Sequence, residues 1–139
     1  MVHVSPCGWF CFGVPDGWKV FDTPESMDIV TELRDTTISI NSARKKEPVT
    51  DQDLWEMQED MLEKVGPHNK ETSRMVLPQG IECLYTACYN DSHAHVFCYL
   101  FWSHYCVALE MKTVIDYRLG LKMDALRYLL ETMESLTVD

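Results

Sequence analysis

Apolar residues recur along this chain mostly at every second position, and at helical spacing in two segments. The first apolar run, Trp9 to Val14, ends at the turn cluster Pro15-Asp16-Gly17, and Trp18 to Phe21 resumes it. A hairpin is predicted next. Met27, Ile29, Thr31 and Leu33 alternate with Asp28, Val30 and Glu32, Arg34-Asp35 turns the chain, and Thr36, Ile38, Ile40 and Ser42 return. A two-residue turn would pair Leu33 with Thr36, Thr31 with Ile38 and Ile29 with Ile40, making one face apolar on both strands. Glu32, Thr37, Ser39 and Asn41 fall on the other, mostly polar face.

After Arg44-Lys45-Lys46 and Pro48 the period changes. Leu54, Met57, Met61, Leu62 and Val65 mark a helix with Thr50 as N-cap, Asp51 and Asp53 in its first turn and a stop at Gly66-Pro67. A strand meander follows: Ile81 to Tyr89, a turn at Asn90-Asp91-Ser92-His93, Ala94 to Trp102, a turn at Ser103-His104, then Tyr105 to Thr113. Ile81, Cys83, Tyr85, Ala87, Val96, Cys98, Leu100, Val107, Leu109 and Met111 share the core face. Leu84, Thr86, Cys88, His95, Phe97, Tyr99, Phe101, Cys106, Ala108 and Glu110 share the opposite face, which is too apolar to face water. A last helix over Tyr117 to Ser135 buries Leu119, Met123, Leu126, Leu130 and Met133. The fold class is therefore α+β, an antiparallel β-sheet with helices packed on it.

Two covers are open for the second sheet face. The Asp51–Val65 helix can close it within the chain, or it can meet a partner through Leu84, Phe97, Tyr99 and Phe101, since central aromatics anchor interfaces.

Length and charge narrow the function classes. At 139 residues the chain fits one domain, residues 1–139, of a size that holds a core without disulfides or metal. The formal charge of −10 repels phosphate backbones and anionic lipid, so no nucleic acid and no membrane is expected as partner. Six of the acids lie in residues 51–64, where a solvated helix face is the plain reading. Residues 1–12 lack a signal-peptide pattern, and no run reaches the ~18 apolar residues of a membrane span. A cytoplasmic chain keeps its thiols reduced, and Cys7, Cys11, Cys83, Cys88, Cys98 and Cys106 form no CxxC pair, so they read as small buried hydrophobes.

Candidate chemistry is sparse. His93, His95, Cys98, His104 and Cys106 cluster in sequence, and strand parity brings His95 towards Cys88 and Cys106, a small-ligand or metal alternative. The same pairs are the only nucleophile–base combinations, and no third orienting group is evident. Pro15-Asp16-Gly17 lacks the glycines and lysine of a phosphate loop. No catalytic residue, no metal ligand set and no cofactor is assigned.

Phe10-x-Phe12-x-Val14-Pro15-x-Gly17-Trp18 resembles the F-x-V-P-x-G-W opening of PsbP-like and DcrB-like domains. Gly80-Ile81-Glu82-Cys83-Leu84-Tyr85-Thr86 is similar to their strand that opens at a glycine, and Leu126 to Leu136, with Met133-Glu134-Ser135-Leu136, to their closing helix and SL terminus. The likeness covers nearly the whole chain in element order. It implies a PsbP-like α/β/α sandwich. Family members with targeting segments are envelope lipoproteins or a lumenal photosystem subunit. Members without them include cytosolic chaperones of secreted bacterial toxins, which cradle apolar effector segments on one sheet face. The expectation is a non-enzymatic protein-binding module, an adaptor, chaperone or immunity protein for a secreted bacterial effector, with a homodimer as the other way to cover the face.

Overall fold

The computed structural model describes residues 2–23, 26–30, 35–65 and 69–136. Among these, seven strands form one antiparallel sheet: β3 (Lys19–Asp22), β4 (Ser26–Val30), β5 (Thr36–Arg44), β6 (Asn69–Val76), β7 (Glu82–Tyr89), β8 (His93–Trp102) and β9 (Tyr105–Val114). Their order is β3-β4-β5-β9-β8-β7-β6. A smaller sheet, ordered β1-β2-β10, joins β1 (Val2–Val4) and β2 (Phe10–Gly13) to β10 (Glu134–Ser135). The helices are α1 (Asp51–Val65), between β5 and β6, and α2 (Leu119–Thr132), before β10.

The two faces of the large sheet hold separate cores, as strand parity predicts. Cys83, Ala87, Val96, Cys98, Leu100, Val107, Leu109 and Met111 pack with Phe10 and Phe12 of β2 and Leu126, Leu129 and Leu130 of α2. Phe97, Tyr99, Phe101, Leu84, Cys88 and Cys106 pack with Leu54 of α1. The layers are thus α2 with the small sheet, the large sheet, and α1.

The β4–β5 hairpin keeps its faces but not its register. Met27 stands opposite Ile40 and Ile29 opposite Ile38, two residues from the tight-turn pairing. A slip of two preserves which side chains face the core, and Met27, Ile29, Ile38 and Ile40 are all buried. The expected pairs of Thr31 and Leu33, and Arg34 of the turn, lie outside the described residues. Asp35, expected in a solvent turn, is instead tied down: Arg118 Nη2 donates to its carboxylate at 2.7 Å and Lys122 Nζ at 3.2 Å.

β6 has no counterpart among the predicted strands. Its core, Lys70-Glu71-Thr72-Ser73-Arg74, is polar at every position, so no alternation marks it, and this suits a sheet edge. α1 begins as expected. Thr50 Oγ1 accepts from Asp53 N at 3.3 Å while Asp53 Oδ2 accepts from Thr50 N at 2.9 Å, a reciprocal cap. Its expected stop at Gly66-Pro67 lies outside the described residues. α2 is shorter than predicted, because Met133 turns extended (φ −61°, ψ 128°) and the next two residues pair with β2. Its buried set also includes Leu129 and Lys122, while Leu119 and Met123 are half-buried.

Gly13 marks the closest approach of β2 to α2. Its N–H donates to Thr132 Oγ1 at 2.7 Å, and a Cβ there would meet that oxygen at 2.8 Å and the Tyr128 ring at 2.9 Å. Gly17 adopts φ 83° in the turn after Pro15, a conformation that favours glycine.

Candidate functional site

The four side chains expected to meet a partner, Leu84, Phe97, Tyr99 and Phe101, do share one face, with Leu84 directly opposite Tyr99. The structure closes that face within the chain. Leu84, Phe97, Tyr99 and Phe101 retain 3, 1, 2 and 6% exposure. Leu54, Met57, Met61 and Leu62 of α1 lie over them, and the Tyr99 hydroxyl donates to Met57 O at 3.4 Å. The linker explains the route: Lys45 N and Val49 N bond His104 O and Ser103 O, both at 2.8 Å, which returns the chain across the end of β8. In this arrangement these residues are core.

The histidine–cysteine alternative does not assemble either. His95 stands opposite Cys88 on one side and Lys112 on the other, but Cys106 stands opposite Phe101. Six residues of strand separate Cys106 from His95's level, about 20 Å at ~3.3 Å per residue. Burial, then the nearby Asp53 carboxylate, pushes the Cys106 thiol up to about 12, which keeps it protonated. Cys98 points to the other core, where its hydrogen bond with Cys83 and its burial raise its pKa. His93 opens β8, and His104 lies in the turn between β8 and β9. Among the described residues, no three or more His, Cys, Asp or Glu side chains are grouped to hold a metal.

An apolar concavity lies elsewhere, between α2 and the β6–β7 connection. It holds about 290 Å³ and is lined by Met75, Val76, Leu77 and Pro78, by Tyr85 of β7, and by Met123, Leu126, Arg127, Leu130 and Glu131 of α2. Its walls are fixed. Leu77 N bonds Ile81 O at 2.8 Å, and Gln79 Nε2 donates to Leu130 O at 3.0 Å and Met133 O at 2.7 Å, filling carbonyls at the C-terminal end of α2. Burial, then the nearby Cys98, raises the Tyr85 phenol to about 12, so it stays a neutral hydrogen-bond donor. Apolar walls, one polar floor group and a charged rim of Arg127 and Glu131 suit a protein side chain better than a polar metabolite. The groove escaped the sequence reading because one of its walls is the end of β6 and the connection that follows it, Met75 to Pro78.

Two charged features complete the surface. A hollow of about 240 Å³ is lined by Arg44, Lys45, Lys46 and His104, with Lys45 paired to Asp53. On the α2 side, Lys122 is buried to 1% and donates to Val114 O at 3.0 Å, Asp35 Oδ2 at 3.2 Å and Asp116 Oδ1 at 3.3 Å, while Arg118 Nη2 reaches both carboxylates at 2.7 Å. That cluster joins the β5 start to the α2 start and has its donors satisfied, which marks it as structural.

The sequence matches no protein-family model and no curated protein. The fold does match solved structures. The chain superposes on cyanobacterial PsbP from Synechocystis with a TM-score of 0.69 and 13% identity, over 97% of this chain and 91% of that one. It superposes on the Ran-binding protein Mog1p of Saccharomyces cerevisiae with a TM-score of 0.66 and 11% identity, over 98% and 95%. A structure from Bacteroides thetaiotaomicron gives a TM-score of 0.67 and 12% identity over 96% of this chain, which spans only 47% of that longer one. The architecture is PsbP-like: antiparallel sheets with two helices.

Proposed function

We propose that the chain is a non-enzymatic protein-binding module that receives apolar side chains of its partner in the groove between α2 and β6. The observation that carries this reading is the groove itself, an apolar concavity with rigid walls and exposed Met75 and Val76 at its mouth. The charge of −10 supports it by drawing basic partners inward. So does the fold, since one protein that shares it is a Ran-binding protein. In its finer form the module is a cytoplasmic adaptor, chaperone or immunity protein acting on a secreted bacterial effector, and the partner then carries an export signal.

The test compares wild type with a Met75→Glu, Met123→Glu variant. Both side chains line the groove, Met75 exposed and Met123 half-buried, and a urea melt of the variant checks that it folds. Proteins captured from the host by wild type are identified, purified and titrated calorimetrically against both. Groove docking predicts a loss of about 100-fold, or ~2.7 kcal/mol, the scale of an interface hot spot. Equal affinity for both forms overturns the reading.

A further inference from the structure

We infer that β6 accepts one extended strand of the partner along its open edge, with alternate apolar residues of that strand entering the groove and Lys or Arg at the positions between. This rests on the groove being the docking site and names the chemistry of what docks there.

Three observations converge on that edge. β6 pairs with β7 over eight consecutive positions, Asn69 opposite Tyr89 through Val76 opposite Glu82, without a bulge. On its outer side no strand pairs with it among the described residues, so a row of backbone N–H and C=O groups faces outward. The opposite edge of the sheet, β3, has only four residues, whereas β6 has eight and contains no proline. Its gatekeeping charges include Glu71 and Arg74, and Arg74 is held by Asp51 at 2.9 Å and Glu82 at 3.5 Å. Beyond it, Met75, on the face that carries α2, is 37% exposed and lines the groove.

Strand parity then assigns the partner's side chains. Ser73 and Met75 stand opposite Tyr85 and Cys83, on the face that carries α2. A strand added outside β6 places every second side chain on that same face, above the groove, while backbone bonds to the edge supply affinity. Its other side chains fall on the face of Asp51 and Glu82. Those two carboxylates share the single Arg74 guanidinium, which leaves a net negative charge for a basic residue to meet. A second copy of this chain fits less well, because pairing two molecules of charge −10 is repulsive.

The probe is a peptide selected from a displayed library of random 12-residue sequences on the intact protein, then synthesised. Enriched sequences should alternate apolar residues with Lys or Arg. Two N-methylated versions, each blocking one alternate set of amides, are titrated beside the parent. Only one set faces the edge, so one version should lose at least 30-fold in affinity and the other less than threefold. Met75→Glu in the protein should weaken the parent peptide at least tenfold. If both versions bind like the parent while Met75→Glu still weakens binding, the edge-strand proposal falls and the groove reading stands. If no peptide is enriched, or Met75→Glu changes nothing, both fall. Sedimentation showing a dimer that β6 substitutions dissociate also overturns it, in favour of a second copy.

Discussion

Tyr99 carries more of the stability under α1 than any exposed aromatic could. Its ring is 2% exposed, its hydroxyl reaches a helix carbonyl, and burial raises its phenol pKa. Tyr99→Ala should therefore lower the unfolding free energy by about 3–5 kcal/mol, as large-to-small aromatic changes in a core do. Urea melts check this: the midpoint should fall at constant slope, and an unchanged midpoint would mean that α1 does not seat on this face. Position parity alone makes Tyr99 a neighbour of Phe97 and Phe101, which is why the shared face was legible. Its cover was not, because that depends on where the linker after Arg44 runs. Two backbone hydrogen bonds to the β8–β9 turn decide it, and backbone bonds leave no mark on residue type.

Among the elements, β2 and α2 meet most tightly at Gly13. Gly13→Ala must displace Thr132 or Tyr128 and disturb the bond to the Thr132 hydroxyl, so a loss of about 1–3 kcal/mol is expected. Thermal melts of that variant should show it, and an additional Thr132→Ala should recover part of the loss by removing the obstructing oxygen. Elements with a continuous run of apolar residues at strand or helix spacing, β5, β7, β8, β9 and α1, could be placed from the sequence alone. β6 could not, since an edge strand with polar residues on both faces has no period to detect. Lys122 likewise sits where an apolar residue belongs in α2, and the carboxylates of Asp35 and Asp116 with the Val114 carbonyl make its burial tolerable. The groove was lost with β6, one wall of which no pattern announces.

For the whole molecule, acidity should act through the cluster around Lys122. Burial pushes the Asp35 carboxyl up, but hydrogen bonds from Lys122 and Thr36 and the charges of Lys122 and Arg118 outweigh it, so its pKa is lowered. Hydrogen bonds from Arg118 hold Asp116 at about 2. A carboxylate whose pKa is lower folded than unfolded binds fewer protons in the native state. Its contribution is complete above the unfolded value of ~3.9 and is lost as pH falls towards the folded one. Stability should thus decline from about pH 5 to about pH 2, and Lys122→Met should shrink that decline while leaving Asp35 and Asp116 less well paired at neutral pH. Chemical denaturation of both proteins across this range checks it, and identical acid slopes would show that the cluster is not the source.

Phe10 and Phe12 are fully buried, and what buries them is α2 and the layer that β10 completes, near the far end of the chain. During synthesis these residues emerge roughly 120 positions before that helix does. At ~5–20 residues per second the delay is on the order of ten seconds, during which two phenylalanines lack the layer that will bury them. The molecule therefore passes its first moments with its innermost aromatic pair uncovered, the interval in which a factor that shields nascent chains would act.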